Sequence, residues 1–339
     1  MGSATPLALD FYRQYCRRSL GLMTIGGVAV NADGRANATS LVLRSMENTR
    51  GLSMVKSEAH QAGVRLIVQI EHAGRQGRSA ETGARLVGPT ADPCPVVGGD
   101  PHALTVSEIT EVIHAFSRSA TLALAAGADL IEINAAHGYL LSGFMSPATN
   151  RRTDQYGGNV QKRFRLVRDV VRAIADETQY PPGIRVNVAE NNPAGLILDE
   201  LLEGLADFSA ELAYISVTAG MYDTQNDLIM PSRRLGTSLW AKHAATLRTL
   251  GVPVLLAGNV TTKVMADELL ANQEADVVLF GRALLADPNI LDGKVTQPCT
   301  DCGLCKYRTK GFPHIYCPFN SVLRAGSTIR GMRIVGRGV

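Results

Sequence analysis

The chain has 339 residues, of which 45% are hydrophobic and 19% are charged, with a formal net charge of +3. This length suits two average domains or one large α/β barrel, and it can bury a core without help from disulfides or metals. The low net charge, with both signs interspersed, does not point to nucleic acid as a partner. No apolar run is long enough to span a membrane, and the first residues lack a signal-peptide pattern. We therefore expect a cytoplasmic protein whose cysteines remain thiols, metal ligands or catalysts.

Short apolar runs rich in β-branched residues alternate along the chain with helix-like stretches. Apolar strands that are separated by helices and buried on both faces predict a parallel sheet. Such a sheet is either open and doubly wound or closed into a (β/α)8 barrel. The predicted strands are residues 21–27, 65–70, 129–134, 183–188, 213–218, 253–258 and 276–280.

Polar residues and glycines follow the C-terminal ends of most of these strands. In a closed barrel those ends meet at one mouth, where active sites lie, whereas an open sheet would spread them along a line. No Gly-x-Gly-x-x-Gly motif follows the first strand, which argues against a dinucleotide-binding fold. We therefore predict an α/β protein with a (β/α)8 TIM barrel.

Seven predicted strands are one fewer than a barrel requires, and the absent strand is the first. The run Met332–Val335 follows the last strand and its helix, so we expect this C-terminal segment to replace the missing strand. The reason is that an open barrel would leave two unpaired strand edges. The predicted organisation is a barrel over residues 1–292, a cysteine-rich segment over 293–325 and a C-terminal strand or tail over 326–339.

Three polar side chains within six residues follow the strand at 129–134. Asn134 and His137 can both donate hydrogen bonds to one oxygen, which would hold a carbonyl whose negative charge grows during a reaction. Tyr139 can serve as a proton donor. A lone histidine is more often structural, but the three groups together favour a catalytic site.

A second group of residues suggests a bound heterocycle with a phosphate. Gln69 and Arg185 lie at or within strands and can face a polar ring, although loop polarity or a structural ion pair would explain them from the sequence alone. The loops after the last two strands are the recurrent phosphate site of barrels. The residues that we expect to bind the phosphate there are Gly258, Asn259, Gly281 and Arg282. Together these features fit flavin mononucleotide with a carbonyl-bearing substrate stacked on it.

Four of the six cysteines lie within residues 299–317, in the pattern Cys-x2-Cys-x2-Cys-x11-Cys. Four thiolates suit tetrahedral zinc as well as an iron–sulfur cluster, and the spacing alone does not choose between them. Unliganded thiols are the least favoured interpretation. The candidate ligands are Cys299, Cys302, Cys305 and Cys317.

Four stretches of the chain resemble the Old Yellow Enzyme family of FMN-dependent oxidoreductases. They are QIEHAGRQ, EINAAHGYLLSGFMSPATNRRTDQYGG, LLAGNV and DVVLFGRALLADP. The cysteine pattern resembles the iron–sulfur branch of that family, which includes 2,4-dienoyl-CoA reductase and trimethylamine dehydrogenase. In that branch four such cysteines hold a [4Fe-4S] cluster beside the FMN, which makes the cluster the favoured ligand here and zinc the alternative.

The resemblance also implies roles for the residues named above. Gln69 and Arg185 would contact the isoalloxazine, the loop residues from Gly258 to Arg282 would hold the phosphate, and Tyr139 would donate a proton. Asn134 and His137 would bind the substrate's carbonyl oxygen, although the family commonly has His before His or Asn at these positions. Relative to the family pattern, the chain starts after the first strand and stops where an FAD- and NAD(P)H-binding domain would begin.

The function expected from these features is reduction, or the reverse desaturation, of an activated C=C bond conjugated to a carbonyl. Electrons would come from NAD(P)H or from an electron-donor protein or partner subunit. A barrel with a damaged flavin site could instead run proton chemistry as an isomerase or cyclase, or serve as a non-catalytic subunit. The sequence does not identify the substrate or the oligomeric state.

Overall fold

The structure is a computed structural model that describes residues 6–16, 19–223, 228–292, 298–305 and 315–325. Within these ranges eight parallel strands form one sheet, and two more strands form a small parallel ribbon. The strands are β1 (Leu22–Ala29), β2 (Leu41–Val42), β3 (Arg65–Glu71), β4 (Val87–Gly88), β5 (His102–Ala103), β6 (Leu130–Ala135), β7 (Gly183–Asn187), β8 (Ile215–Thr218), β9 (Val254–Leu256) and β10 (Val277–Val278).

Helices connect most of these strands, and several begin at a capping residue. Thr105 starts α4 with a capping box, in which its hydroxyl accepts from the Glu108 backbone and the Glu108 carboxylate accepts in return. None of the described helices is long and apolar enough to cross a membrane. The helices are α1 (Pro6–Arg13), α2 (Arg50–Gln61), α3 (Ser79–Thr82), α4 (Val106–Ala125), α5 (Leu140–Met145), α6 (Val160–Thr178), α7 (Leu198–Ala206), α8 (Ala241–Leu247), α9 (Lys263–Ala271), α10 (Arg282–Ala286) and α11 (Ser321–Ala325).

The order of strands in the main sheet is β10-β9-β8-β7-β6-β3-β1-β2. All seven predicted strands are present, and they lie side by side in the order in which they occur along the chain. The predicted α/β barrel class is therefore confirmed. The bounds differ at the ends: β1 continues to Ala29, whereas β10 contains two residues.

Side chains alternate between the two faces of the sheet. One set of strand residues, such as Val68, Ile133 and Val217, belongs to the large core beneath the helices. The other set faces the barrel interior, where Ile67, Tyr214 and Leu255 form a separate apolar cluster. The interior becomes polar toward the C-terminal ends of the strands, at the barrel mouth, so the sheet itself aims polar side chains at the predicted site.

The sheet has a seam between β1 and β10, which are not paired with each other within the described residues. The two residues of β2 pair with the end of β1 at Val28 and Ala29. Tyr12 of α1 lies against the edge of β1: burial raises the pKa of its phenol to about 12, opposed by a hydrogen bond from the Gly26 backbone. Helix α1 and strand β2 therefore cover part of the edge that a first barrel strand would occupy.

The segment 315–325 ties the two sides of this seam together. The Asn320 side chain donates to Gln14 Oε1, just after α1, and to the Leu285 carbonyl in α10, both at 2.9 Å. Cys317 and Leu323 pack against Ala286 of α10 in a small buried cluster. The predicted slot-filling segment Met332–Val335 lies outside the described residues, so its placement stays a prediction.

Candidate active site

Two hydrogen-bonded pairs form a polar layer inside the barrel. Gln69 on β3 donates through Nε2 to Glu132 Oε1 on β6 at 2.5 Å, and both side chains are buried. Arg185 on β7 donates to the Ser216 hydroxyl on β8 at 3.1 Å. Strand register pairs Gln69 with Glu132, and two residues further along the strands it makes Asn134, Arg185 and Ser216 direct neighbours across β6, β7 and β8. The two residues predicted to contact a ring, Gln69 and Arg185, therefore face the same interior surface, with β6 between them and an offset of two residues in register.

A buried carboxyl holds Asn134 in place beside Arg185. Asn134 Nδ2 donates to Glu71 Oε2 at 2.8 Å, and its Oδ1 accepts from the Ala136 backbone at 3.2 Å. Burial raises the pKa of Glu71 to about 7, although the bond from Asn134 opposes the shift. A side-chain amide nitrogen carries two hydrogens, so Asn134 keeps one for a ligand. Glu71 is not among the predicted site residues, yet it lies two residues after Gln69 on the same strand and therefore faces the same interior.

His137 follows β6 in a left-handed backbone conformation, with φ of +63°. Its Nδ1 lies 3.1 Å from the Gly220 carbonyl, and its Nε2 lies 3.5 Å from the Thr218 hydroxyl. Since a carbonyl only accepts, Nδ1 carries the hydrogen and Nε2 presents a lone pair. Burial, assisted by the nearby Arg185 charge, lowers the pKa of His137 to about 3, so the ring is neutral at pH 7. In this state the ring offers a substrate oxygen no N–H.

A second asparagine supplies an unpaired donor near His137. Asn187 at the end of β7 accepts from the His137 backbone N–H at 3.2 Å, and its side chain is 3% exposed. Its Nδ2 is buried and has no hydrogen-bond partner among the described residues. Buried donors are normally satisfied, so this site is suited to a bound acceptor. Its position two residues after Arg185 on the same strand could have revealed it from the sequence.

Aromatic rings form one wall of the mouth. Tyr139 stands at the start of α5, and its ring stacks on Tyr222 with centroids 5.7 Å apart and an interplanar angle of 25°. The His137 ring lies 6.1 Å from the same Tyr222 ring. The structure thus brings the three predicted catalytic residues to one side of the mouth and adds Tyr222, which follows β8.

The loops after β3 and β8 meet above these rings through an ion pair. Arg75 pairs with Asp223, and Gln76 donates to the same carboxylate. Arg75 also donates to the carbonyls of Asp92 and Pro93 at 3.2 and 3.1 Å. Residues 92 and 93, in the long connection between β4 and β5, therefore contact the loop after β3 at the mouth.

The predicted phosphate residues line one cavity of about 280 Å³, which we call the phosphate cavity. Gly258 has φ of +148°, and a Cβ there would come within 2.5 Å of the Trp240 ring. Asn259 is also left-handed, with φ of +60°. Arg282 and Arg185 both face this cavity. Arginine side chains and glycine backbone are groups that bind phosphate, and one carboxylate, Asp301, lines the same cavity.

All four candidate cysteine ligands line a second, smaller cavity of about 20 Å³, which we call the cysteine cavity. Burial raises the pKa values of the Cys305 and Cys317 thiols, and the proximity of Cys299 and Cys302 adds to both shifts. Within the described ranges no three Cys, His, Asp or Glu side chains stand close enough together to hold a single metal ion. Four thiols around one space are a donor set that zinc and an iron–sulfur cluster both use.

The two cavities share a wall. Arg282, Leu285, Cys299 and Asp301 line both of them. The structure therefore places the candidate cysteine ligands directly against the phosphate end of the mouth, which the sequence spacing alone did not show.

The model of the NADH:flavin oxidoreductase / NADH oxidase family matches residues 2–298. The chain is 33% identical over 296 residues to an NADH oxidase from Thermoanaerobacter brockii, covering 85% of this chain and 45% of that protein. It is 30% identical over 289 residues to an NADPH dehydrogenase from Bacillus pumilus, covering 85% of this chain and 83% of that protein. The chain belongs to the NADH:flavin oxidoreductase / NADH oxidase family and is a flavin oxidoreductase by class.

Solved structures share the fold. A 2-naphthoyl-CoA reductase in complex with 2-naphthoyl-CoA superposes with a TM-score of 0.87 at 23% identity, over 94% of this chain and 52% of that one. An Old Yellow Enzyme homologue from Zymomonas mobilis superposes with a TM-score of 0.74 at 21% identity, over 87% of this chain and 86% of that one. The chain thus spans about half the length of the NADH oxidase and of the CoA reductase.

Proposed function

We propose that the chain is an FMN-dependent oxidoreductase that reduces, or forms, a C=C bond conjugated to a carbonyl. The observation that carries the proposal is one continuous polar surface across the barrel mouth. It runs from Arg282 in the phosphate cavity through Arg185 to Asn134, and His137, Tyr222 and Tyr139 continue it through ring contacts. A phosphate-bearing ring and a carbonyl substrate would both find matching groups along it.

The flavin would be held by residues from opposite sides of the mouth. Gly258, Asn259, Gly281 and Arg282 would hold the phosphate, while Gln69 and Arg185 would face the ring. When bound, FMN supplies a two-electron centre that accepts and donates hydride. Arg185 donates to the neutral Ser216 hydroxyl, and its positive charge would favour negative charge on a ring placed beside it.

The substrate would bind at the end of the mouth that Asn134 and Tyr139 line, which we call the substrate end. The second Asn134 N–H, held in place by Glu71, would donate to the carbonyl oxygen and stabilise the charge that develops there. The Tyr139 hydroxyl would protonate the α-carbon of the alkene or remove that proton in the reverse direction. The 2-naphthoyl-CoA reductase that shares the fold was solved with 2-naphthoyl-CoA, an aromatic acyl thioester.

The four cysteines would hold a [4Fe-4S] cluster, with zinc as the alternative. Such a cluster supplies one-electron transfer, and thiols around the cysteine cavity lie against the wall of the phosphate cavity. Electrons would enter from NADH or NADPH, as the names of the relatives suggest, or from a partner protein.

The test is anaerobic purification of the full chain followed by absorbance spectroscopy and metal analysis. Flavin bands with added broad absorbance, iron and sulfide are expected. Cys302→Ser should remove the iron and the broad absorbance, whereas Cys94→Ser, in a buried cysteine outside the cluster segment, should keep them. Zinc without iron would reject the cluster, and a protein that neither contains nor binds FMN would reject the redox function.

A second function, proton transfer without redox, is favoured by one observation. The His137 ring presents an unprotonated Nε2 at the mouth, which can accept a proton but offers no N–H to an oxyanion. An isomerase of this kind would act on an enone in protein stripped of flavin. Exchange of the substrate α- or γ-hydrogens in D2O by flavin-free protein would support it, and exchange that requires flavin would reject it.

A further inference from the structure

The carboxylate of Asp301 lies where the two cavities meet. Its Oδ1 pairs with Arg282 Nη1, and its Oδ2 accepts from the Arg233 backbone N–H at 2.9 Å. Both ends of the Arg282–Asp301 pair are largely buried, with side chains 16% and 17% exposed. Asp301 stands between Cys299 and Cys302, so this carboxylate belongs to the cysteine-rich segment.

The remaining contacts of Arg282 are also made within the chain. Its Nη2 donates to the Pro231 carbonyl and to Asn259 Oδ1, the latter at 3.2 Å. The Arg233 side chain in turn donates to the Cys299 carbonyl. The arginine that would bind the phosphate is therefore already paired with an anion of the protein itself.

In this arrangement a carboxylate of the protein itself occupies an anion-binding site. A carboxylate that accepts from a guanidinium and from a backbone N–H uses the same donors as a phosphate oxygen would. Among the described residues that line the phosphate cavity, Asp301 is the acidic one, opposite Arg185, Arg233 and Arg282. A phosphate brought to Arg282 would meet Asp301 as a like charge.

We propose that the Asp301 carboxylate occupies the anion-binding position beside Arg282 in the phosphate cavity and competes with the FMN phosphate for Arg282. The proposal rests on the proposed function, since it deepens the flavin site. The position of residues 298–303 and phosphate binding at Arg282 are then thermodynamically linked. Phosphate binding displaces Asp301 from Arg282, and displacement of Asp301 strengthens phosphate binding by the same factor.

The experiment compares FMN with riboflavin, which carries the same ring but no phosphate. Full chain stripped of flavin is titrated with each ligand, and the fluorescence quenching of the ligand gives Kd. Asp301→Asn, which keeps the shape of the side chain and removes its charge, is expected to bind FMN about tenfold more tightly than the natural chain at low salt. Its affinity for riboflavin is expected to stay the same, and added salt should reduce the difference for FMN.

Two variants serve as controls. Asp301→Glu keeps the charge and should bind FMN within a few-fold of the natural chain. Asp207→Asn removes a carboxylate that pairs with Arg168 on the outer helices, so it loses the same charge away from the mouth. It should leave both affinities unchanged.

Inorganic phosphate separates the failure of this proposal from failure of the flavin function. In a thermal unfolding assay, phosphate should raise the Tm of Asp301→Asn more than that of the natural chain. If neither protein binds flavin but phosphate still raises the Tm of Asp301→Asn more than that of the natural chain, the competition between Asp301 and phosphate is supported and the flavin function is rejected. Equal or weaker FMN binding by Asp301→Asn, or an equal gain for riboflavin, would overturn the competition.

Discussion

The two ends of the barrel mouth are built differently. At the substrate end, Glu71 and Asn134 are buried side chains of adjacent strands, and they are held in place by sheet register and a 2.8 Å hydrogen bond. At the phosphate end, Arg282, Asp301 and Arg233 come from segments distant in sequence and are held by ion pairs and carbonyl contacts. The first end is therefore fixed by the fold, whereas the second depends on charge pairs that a ligand can exchange.

This contrast predicts that substitutions at the substrate end lower the rate of the chemical step, while substitutions at the phosphate end change the affinity for the flavin. The largest effect is expected for Tyr139→Phe. Removal of a general acid typically slows its step by 10²–10⁴-fold. The reoxidation of reduced flavin by an enone should slow by about 100-fold or more, with reduction by NADPH little changed, as measured by stopped-flow absorbance.

Tyr222→Phe is the matched control for this prediction, because it keeps the ring that stacks on Tyr139. It should slow reoxidation by much less than Tyr139→Phe does. Equal losses in the two variants would assign the proton to another group.

The next effect is expected at Gly258. A Cβ at this position would come 2.5 Å from the Trp240 ring, and φ of +148° is strained for any other residue. Gly258→Ala should lower the free energy of unfolding by about 2–3 kcal/mol and weaken FMN binding. Urea denaturation and flavin titration measure the two quantities.

Gly281→Ala tests whether that loss is local strain. Gly281 lines the same cavity, but a Cβ there meets nothing within 4 Å and its φ is −106°. The free energy of unfolding of the Gly281→Ala variant should stay close to that of the natural chain. A loss as large as that of Gly258→Ala would show that the whole loop, rather than contact with Trp240, sets the stability.

Glu71 should impose a pH dependence on stability. Its pKa rises from its ordinary 4.5 to about 7 in the folded protein, so the folded state holds this proton more tightly than the unfolded chain does. The contribution is most favourable below pH 4.5 and is lost as the pH rises through 7, a change of about 3 kcal/mol. The stability of Glu71→Gln relative to the natural chain should therefore increase between pH 5 and pH 8.

Urea denaturation across this pH range measures the trend. Glu203→Gln, in an exposed carboxylate of α7, is the control and should not change the slope. A slope for Glu71→Gln that matches the natural chain would show that Glu71 is ionised in the folded state at neutral pH.

The smallest effect is expected at the seam. Asn320→Ala removes the bonds to Gln14 and to the Leu285 carbonyl, at a cost of about 1–2 kcal/mol. Gln14→Ala removes one of those bonds and should cost less. If neither variant changes the unfolding midpoint, the 315–325 segment does not contribute to barrel stability.

The sequence predicted the barrel because apolar strands buried on both faces, such as 65–70 and 183–188, have a strong local signature. It missed β2, β4 and β5, since their two residues each lie in an apolar run of three residues or fewer, whereas the two residues of β10 lie in a longer run. The boundaries 1–292, 293–325 and 326–339 stay predictions. So do the roles assigned to the site residues.

The site could be predicted as far as strand ends determine it. Asn134, His137 and Arg185 were found because they end or interrupt an apolar run, and Glu71 could have been found by counting two residues from Gln69. The pairing of Arg282 with Asp301 could not be predicted, because the sequence does not show which carboxylate pairs with which arginine in the folded chain. The Nδ1 contact of His137 with Gly220 likewise depends on a loop 83 residues away.

The central claim is that the barrel mouth is a flavin site that reduces conjugated carbonyl compounds. The most direct test is an anaerobic cycle on the flavin-loaded full chain, followed at the flavin absorbance bands. Bleaching by NADH, NADPH or dithionite and recovery on addition of cyclohexenone, with enone consumed in proportion to flavin, is the predicted result. A flavin that stays reduced in the presence of the enone, or a chain that binds no flavin, would contradict it.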